Sequence, residues 1–215
     1  MENSSNLRNN DRYEIRLTGS GGQGIIMASV ILAEAAIIQG KNAIQSQAYG
    51  PEARGGTSKA ETIIGESELW YSKVTRPNFL LALTQAALDK YCKETADDAI
   101  ILIDSSLTMP DDFATSDAGA GDNSYAADNV CPADNSGKAN TTCTGKRIYS
   151  LPILSTAKEE IGKPMTANIV AIGAINGLTH LFTEEVIQKA VKRHIPPGTE
   201  ELNMRALASG EALAY

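Results

Sequence analysis

Two glycine-rich segments hold the residues with the clearest chemical potential. The first is Gly19-Ser20-Gly21-Gly22-Gln23-Gly24, which fits the pattern G-x-G-x-x-G. In that pattern, backbone N–H groups and the N-terminus of the following helix face a bound anion such as a phosphate. The alternative is a loop that needs glycine only for a tight turn and for close packing of helix against strand.

A dinucleotide site normally requires a second feature. An acidic residue at the end of the second strand binds the ribose hydroxyls, but here that region reads Ile44-Gln45-Ser46-Gln47. No Gly-Lys-Ser or Gly-Lys-Thr follows the glycines, so the segment is not a P-loop. The pattern therefore favours a phosphate-binding loop or a structural turn over an NAD or flavin site, and a stand-alone dinucleotide-binding protein is kept as an alternative.

The second segment is Tyr49-Gly50-Pro51-Glu52-Ala53-Arg54-Gly55-Gly56. Arg54 offers a permanently charged fork for a carboxylate or phosphate, and the two glycines after it let a ligand come close. If the strands before the two segments are parallel, both segments leave the sheet at its ligand-binding carboxyl edge. An internal ion pair between Glu52 and Arg54 that fixes a turn is the alternative.

Apolar periodicity predicts the elements that position these segments. We predict strands at residues 13–17, 42–47, 57–64, 79–83, 100–104 and 148–153, and helices at 25–37, 85–93, 156–161, 166–182, 184–194 and 200–214. Strands that alternate with helices indicate a three-layer α/β/α Rossmann-like domain. Its sheet is expected to be mostly parallel or mixed, with a C-terminal group of helices.

The predicted domain organisation is a polar tail over residues 1–12 and a single domain over 13–215. Residues 105–146 are rich in Asp, Asn, Ser, Thr, Gly and Ala, which predicts a mobile surface insertion. Cys131 and Cys143 lie in it and receive no role. The cysteines form no Cys-x-x-Cys pair, so we expect no zinc or iron–sulfur ligation by this chain.

Composition limits the classes of partner. The 215 residues carry a formal net charge of −7, which gives no support for a nucleic-acid or anionic-membrane surface. No apolar signal core or membrane-spanning stretch is apparent, so a soluble cytoplasmic protein is expected. We expect structural or solvated roles for His180 and His194.

Four segments, in order, resemble one known family. The glycine loop, residues 49–56, Lys59-Ala60-Glu61 and the stretch 163–174 (KPMTANIVAIGA) are similar to the gamma subunits of 2-oxoacid:ferredoxin oxidoreductases. The resemblance covers the chain except the tail and the insertion. The second segment is most similar to the 2-oxoglutarate branch, because pyruvate-type relatives carry a second arginine where Ala53 stands. Pyruvate and branched-chain 2-oxoacids remain alternatives.

The resemblance implies a subunit of an anaerobic enzyme that converts 2-oxoglutarate, coenzyme A and oxidised ferredoxin to succinyl-CoA, CO2 and reduced ferredoxin. Thiamine diphosphate, Mg and the iron–sulfur clusters would belong to the partner alpha and beta subunits, with a ferredoxin-like delta subunit as a further partner. No catalytic or metal-binding residue is predicted in this chain.

The resemblance also implies two groups of site residues. Coenzyme A phosphates would lie near Gly19, Ser20, Gly21, Gly22, Gln23 and Gly24. The active-site mouth would be shaped by Tyr49, Gly50, Pro51, Glu52, Arg54, Gly55 and Gly56, with Arg54 as the anion contact. A noncatalytic scaffold that uses both segments for backbone packing is the remaining alternative. Residues 169–181 are expected to form an apolar helix partly available to partner subunits.

Overall fold

A computed structural model describes residues 12–49, 57–110 and 145–215. These residues form a six-stranded sheet of order β2-β3-β1-β4-β5-β6. The strands are β1 Arg12–Ser20, β2 Asn42–Tyr49, β3 Thr57–Gly65, β4 Phe79–Ala82, β5 Ile100–Asp104 and β6 Arg147–Leu151. The predicted α/β fold with a mixed sheet is confirmed.

The helices follow the strands as the periodicity indicated. They are α1 Ile25–Ile38, α2 Gln85–Tyr91, α3 Ile153–Ser155, α4 Ala167–Thr179, α5 Glu184–His194 and α6 Glu200–Ala212. Short helical turns at Cys92–Glu94, Thr156–Glu160 and Pro164–Thr166 extend α2, extend α3 and precede α4. The predicted N-cap of α5 is confirmed, because the Thr183 side chain accepts a hydrogen bond from the Val186 N–H at 3.4 Å.

Strand direction decides which loops share an edge. β1, β4, β5 and β6 are parallel, whereas β3 is antiparallel to both of its neighbours, β1 and β2. β2 therefore runs in the same direction as β1 although β3 lies between them. The carboxyl ends of β1 and β2 consequently meet the same edge of the sheet.

The two faces of the sheet carry unequal layers. One face packs against α1 and the C-terminal helices through side chains such as Ile15, Leu17, Phe79 and Leu81. The other face packs against α2 through Leu80, Ala82, Ile101 and Ile103. Because β4 and β5 are buried on both faces, they read in the sequence as continuous apolar runs.

Helix α4 is enclosed within the chain's own core. Its residues 167–177 are all buried, and α6 packs on it so closely that a Cβ at Gly210 would lie 2.0 Å from the Val170 carbonyl oxygen. The expectation that residues 169–181 are partly available to partners is therefore wrong for residues 169–177, whereas Leu178 and Leu181 are half-buried. The apolar surface of α4 belongs to the core because α6 covers it. The sequence pattern shows that α4 is apolar but not which element covers it.

Several element ends differ from the sequence prediction by a few residues, and two of them have a clear cause. β6 ends at Leu151, and Ile153 begins α3. The strand was predicted to reach residue 153 because the buried Ile153 continues the apolar run, and periodicity cannot divide such a run. α4 ends at Thr179 rather than at residue 182, since His180 takes a left-handed conformation with φ of 49°. The tail residues 1–11 and insertion residues 111–144, with Cys131 and Cys143, lie outside the described residues.

A buried ion network supports the α2 face of β1. Arg16, only 2% exposed, donates Nε–H to Glu61 Oε1 at 2.8 Å and Nη1–H to Glu94 Oε2 at 2.6 Å. Its guanidinium lies 5.4 Å from the centroid of the Tyr91 ring, and Lys59 Nζ approaches Glu61 at 3.0 Å. The network holds β1, β3 and the end of α2 together.

Candidate functional site

The glycine loop lies at the point where the helices switch faces. α1 leaves the end of β1 toward one face, and α2 leaves the end of the adjacent β4 toward the other. In open α/β sheets, the crevice outside such a switch point is the usual ligand position. Gly19 and Ser20 end β1, and Gly24 is the N-cap of α1, so the loop borders this crevice.

Gln23 folds back and occupies part of the loop. Its Oε1 accepts a hydrogen bond from the Ser20 N–H at 2.8 Å, and its Nε2 donates to the Leu83 carbonyl at 3.4 Å. A Cβ at Gly19 would lie 2.3 Å from Gln23 Oε1, so glycine there leaves room for the amide in this position. Gln23 thereby connects the loop after β1 to the end of β4, across the mouth of the crevice.

The four glycines of the loop do not share one explanation. Gly22 and Gly24 have φ of 91° and 71°, which favours glycine, and Gly19 makes room for Gln23. Gly21 has neither constraint: its φ is not positive, and a Cβ built on it would meet no atom within 4 Å. The fold therefore explains three of the glycines, and the open space at Gly21 is available to a ligand.

The N-terminus of α1 is electrostatically suited to an anion. Its first turn contains no acidic residue, and no side chain caps it at Gly24. The first backbone N–H groups of a helix lack intrahelical partners and carry a partial positive charge. An anion placed over Gly21 and Gly24 would meet these donors.

The stretch that begins α4 meets the glycine loop. A Cβ at Gly24 would lie 2.9 Å from Asn168 Nδ2, so the Asn168 side chain packs directly on the loop. The preceding turn is fixed by the Thr166 hydroxyl, which donates to the Lys163 carbonyl at 2.8 Å, and Met165 is 88% exposed beside it. Sequence reasoning assigned no site role to Asn168, whose only signal was its place within the KPMTANIVAIGA stretch.

The second segment begins and ends at the same edge as the glycine loop. Its first residue, Tyr49, pairs with Ser58 of β3, and Ser58 pairs with Gly19 of β1. Thr57, which follows the segment, pairs with Ser20. Residues 50–56, with Gly50, Pro51, Glu52, Arg54, Gly55 and Gly56, lie outside the described residues, as does the side chain of Tyr49. Ligand contacts by these residues therefore remain predictions.

Two lysines flank the end of the second segment on the α2 face. Lys90 Nζ lies 3.5 Å from the hydroxyl of Thr57, and Lys59 follows two residues later in β3. Both ammonium groups lie near the Tyr91 ring, with Nζ-to-centroid distances of 5.2 and 6.0 Å. Lys59 is already paired with Glu61 at 3.0 Å, so Lys90 is the one of these two lysines that is placed to meet an anionic ligand at this edge.

Asp104 fixes the far side of the carboxyl edge. The residue is 2% exposed; its Oδ1 accepts hydrogen bonds from the Ser106 N–H and hydroxyl, and its Oδ2 accepts from the Leu154 N–H at 2.8 Å. These bonds tie the end of β5 to the start of α3. We assign Asp104 a structural role, which the sequence did not reveal.

Three side chains away from the glycine loop, Tyr13, Glu34 and Cys92, have pKa values that the surrounding structure shifts. Burial raises the pKa of Tyr13, at the other end of β1, to about 12, and burial also raises the pKa of the Cys92 thiol. The Arg193 guanidinium, which donates a hydrogen bond to Glu34, lowers the pKa of that carboxyl, with a smaller contribution from His194. His194 is thus partnered by Glu34, which agrees with the structural role expected for it.

Comparisons with known proteins identify the family. Residues 14–213 match the family model for pyruvate ferredoxin/flavodoxin oxidoreductase, and the chain belongs to that family. The 2-oxoglutarate synthase subunit KorC of Methanocaldococcus jannaschii is 37% identical over 204 residues, which cover 94% of each protein.

Among the described residues, no helix is long and apolar enough to cross a membrane, and no three metal-ligating side chains form a cluster.

Solved structures share the fold. The gamma subunit of a keto/oxoacid ferredoxin oxidoreductase from Geobacter sulfurreducens PCA is 38% identical, with a TM-score of 0.73, and the match covers 94% of this chain and 96% of that one. A 2-oxoglutarate:ferredoxin oxidoreductase from Magnetococcus marinus, solved with 2-oxoglutarate, coenzyme A and succinyl-CoA bound, matches at 18% identity and a TM-score of 0.70. That match covers 95% of this chain but 31% of the longer one, and it shows the fold alone.

Proposed function

We propose that this chain is the gamma subunit of a 2-oxoglutarate:ferredoxin oxidoreductase and that its glycine loop holds a phosphate of coenzyme A. The reaction joins the succinyl group of 2-oxoglutarate to coenzyme A, releases CO2 and passes two electrons to ferredoxin. The similarity to a 2-oxoglutarate synthase subunit over nearly the whole of both chains supports the substrate. The enzyme is expected in the cytoplasm.

One observation carries the coenzyme A assignment. Gly21 is the loop glycine that the fold does not require, and it lies beside the uncapped N-terminus of α1. A side chain there would occupy the space through which a phosphate approaches the backbone N–H groups. Coenzyme A is the substrate of this reaction that carries phosphates, so the loop suits it better than 2-oxoglutarate.

The decarboxylation chemistry is assigned to partner subunits. Alpha and beta subunits would hold thiamine diphosphate with Mg and the iron–sulfur clusters, and a ferredoxin-like delta subunit would complete the complex. The second segment, with Arg54, would shape the entrance to the site in the assembled enzyme.

The topology argues against the dinucleotide alternative. In a Rossmann dinucleotide site, the strand that supplies the ribose-binding acid is next to the glycine-loop strand. Here β3 separates β2 from β1, and the end of β2 carries Gln47, Ala48 and Tyr49 rather than an acid. A residue at the end of β2 is therefore one strand too far from a ribose bound at the loop.

The deciding experiment is steady-state kinetics of the purified complex carrying Gly21→Ala or, as a matched control, Gly145→Ala. Gly145 lies before β6, and a Cβ there would be 3.6 Å from the carbonyl oxygen of Asp97, an ordinary van der Waals contact. We expect the KM for coenzyme A to rise about tenfold or more with Gly21→Ala, a loss of roughly 1.4 kcal/mol of binding energy. The KM for 2-oxoglutarate should stay within about twofold of the wild-type value. Both KM values of the Gly145→Ala control should also stay within about twofold of wild type.

Either of two results would contradict the proposal. Unchanged kinetics in Gly21→Ala would favour the scaffold alternative, in which the loop serves packing alone. Faster turnover with pyruvate or a branched-chain 2-oxoacid than with 2-oxoglutarate would move the substrate to another branch of the family. Arg54→Ala is a separate test of the entrance: it should lower kcat/KM for coenzyme A while the complex still assembles.

A further inference from the structure

The connection between β3 and β4 divides two cavities at the amino edge of the sheet. Its residues Glu68, Leu69 and Trp70 line both cavities. The larger cavity, of about 1060 Å³, is also lined by Arg12, Glu14, Tyr71, Lys73 and Asn78. The smaller, of about 410 Å³, adjoins Asn42, Ala43 and Ile44 at the start of the edge strand β2. We call this region the Trp70 surface.

Trp70 is held in an exposed position by a fixed backbone. Its side chain is 89% exposed and that of Tyr71 is 57% exposed. Arg12 donates hydrogen bonds to the carbonyls of Tyr71 and Lys73 at 2.8 and 2.9 Å, and Val74 is buried directly after them. An exposed tryptophan on a pre-ordered backbone is suited to a binding anchor, because little conformational entropy is lost when a partner covers it.

The larger cavity is also lined by a buried carboxylate, Glu14, one of whose oxygens has no hydrogen-bond donor among the described residues. Glu14 is 9% exposed, and its Oε1 lies 2.6 Å from Arg12 Nε, although this ion pair is not aligned as a hydrogen bond. Its Oε2 is buried and has no hydrogen-bond partner among the described residues. Buried carboxylate oxygens normally accept hydrogen bonds. A small change in the broad terminal torsion of Glu14 would present this oxygen to a donor entering the cavity.

We propose that the Trp70 surface docks another subunit of the enzyme through a segment that presents an arginine or lysine to Glu14. Apolar side chains of that segment pack on Trp70, Leu69 and Ile44, and its cation supplies the donor that Glu14 Oε2 lacks. The inference rests on the proposed function in one respect, that this chain works as a subunit. The surface lies at the edge of the sheet opposite the glycine loop, so docking leaves the ligand crevice open.

The form of the surface favours a protein segment over a small molecule. The larger cavity, of about 1060 Å³, slightly exceeds the roughly 300–1,000 Å³ usual for small-molecule pockets. The aromatic side chains that line it are exposed to solvent and do not enclose it. Trp and Tyr are enriched in protein interfaces. Within the described part of the chain, β2 is the edge strand beside Trp70, and a partner backbone can meet such an edge.

The test uses the tagged full-length chain expressed in its native host and purified without oxygen. Four forms are compared: wild type, Trp70→Glu, Glu14→Gln and the control Tyr215→Ala, which removes an aromatic side chain that is 84% exposed at the C-terminus. The partner subunits are identified and quantified by mass spectrometry. In a parallel sample, a photo-crosslinking amino acid in place of the exposed Tyr71, which leaves Trp70 intact, locates the contacting peptide. Thermal unfolding of each purified chain verifies that it is folded.

We expect wild type and Tyr215→Ala to recover the partner subunits equally. Trp70→Glu should reduce the recovered partner subunits about tenfold or more, and Glu14→Gln should reduce them severalfold. A tenfold weaker association corresponds to about 1.4 kcal/mol of binding free energy. The crosslink should fall on a partner peptide that contains arginine or lysine. Undiminished recovery with folded Trp70→Glu overturns the proposal. So does a crosslink to residues 1–11 of this chain or to a second copy. Failure of wild type to recover any subunit contradicts the proposed function as well, which separates the two outcomes.

Discussion

Gly24 and Asn168 are in direct contact: a methyl group at Gly24 would lie 2.9 Å from Asn168 Nδ2 and 3.0 Å from its Cγ. The contact joins the glycine loop to the start of α4, two segments 144 positions apart in sequence (168 − 24). It fixes the N-termini of α1 and α4 against each other at the carboxyl edge of the sheet.

Gly24→Ala is expected to destabilise the chain by about 1–3 kcal/mol, because alanine at φ of 71° is strained and its methyl group meets Asn168. Chemical denaturation of the purified chain measures the change. Adding Asn168→Ala removes the contact but not the backbone strain, so the double variant should recover part of the loss. Equal stability of Gly24→Ala and wild type would exclude both causes.

Gly210→Ala tests the packing of α4 on α6. Alanine in place of glycine within a helix ordinarily stabilises by roughly 0.5–1 kcal/mol. Here the new Cβ would lie 2.0 Å from the Val170 carbonyl oxygen, so we expect a loss of about 1–3 kcal/mol or more from overpacking. The sign of the change in unfolding free energy is the readout, and a gain in stability would show that the two helices separate easily.

Arg16→Met should be among the most destabilising single changes in the sheet. It leaves Glu61 buried, with Lys59 as its remaining cation, and loss of one partner from a buried ion pair costs about 3–5 kcal/mol. The double variant Arg16→Met with Glu61→Gln also removes the buried carboxylate charge and is expected to be more stable than the single variant. Denaturant unfolding of both variants and wild type completes the comparison, and a double variant less stable than Arg16→Met would refute this account.

Glu34 gives the chain a pH dependence that can be removed. Because the hydrogen bond from Arg193 lowers its pKa in the folded state, the carboxylate stabilises the fold above its unfolded pKa of about 4.3. That contribution is lost as the pH falls from there through the lowered folded-state pKa. With a side chain 22% exposed, the effect should be under about 1 kcal/mol. Unfolding free energies of wild type and Glu34→Gln should differ at pH 7 and converge as the pH falls through the lowered pKa of Glu34; a constant difference would contradict this.

Local sequence signals predicted most of the elements. The run from Ile25 to the left-handed Gly40 placed α1, and Thr183 before two acidic residues placed the start of α5. These signals are local, because they depend on capping and periodicity within one element. Strand direction is different: the alternation in β3 is the same for either direction, so its antiparallel orientation had to come from the structure.

Contacts between distant elements account for what was missed. The pairing of Arg16 with Glu61 spans 45 positions, and a single sequence marks neither residue as buried. Gly173 and Gly210 have no local reason to be glycine; the reason is the close approach of α4 to α6. For the candidate site, the glycine pattern located the loop, but the distinct position of Gly21 followed only from the space around each glycine.

β1 spans about 27 Å from Arg12 to Ser20, at roughly 3.4 Å per residue. A partner bound at Arg12 and Glu14 would hold one end of this strand, and the glycine loop lies at the other end. A tilt of about 2° at the seat would move the loop by nearly 1 Å, which is enough to cost on the order of 100-fold in rate at a reacting centre. The catalytic rate would then depend on how rigidly the partner holds the Trp70 surface, far from the reacting atoms. Substitutions at that contact would lower kcat in an enzyme that is still fully assembled.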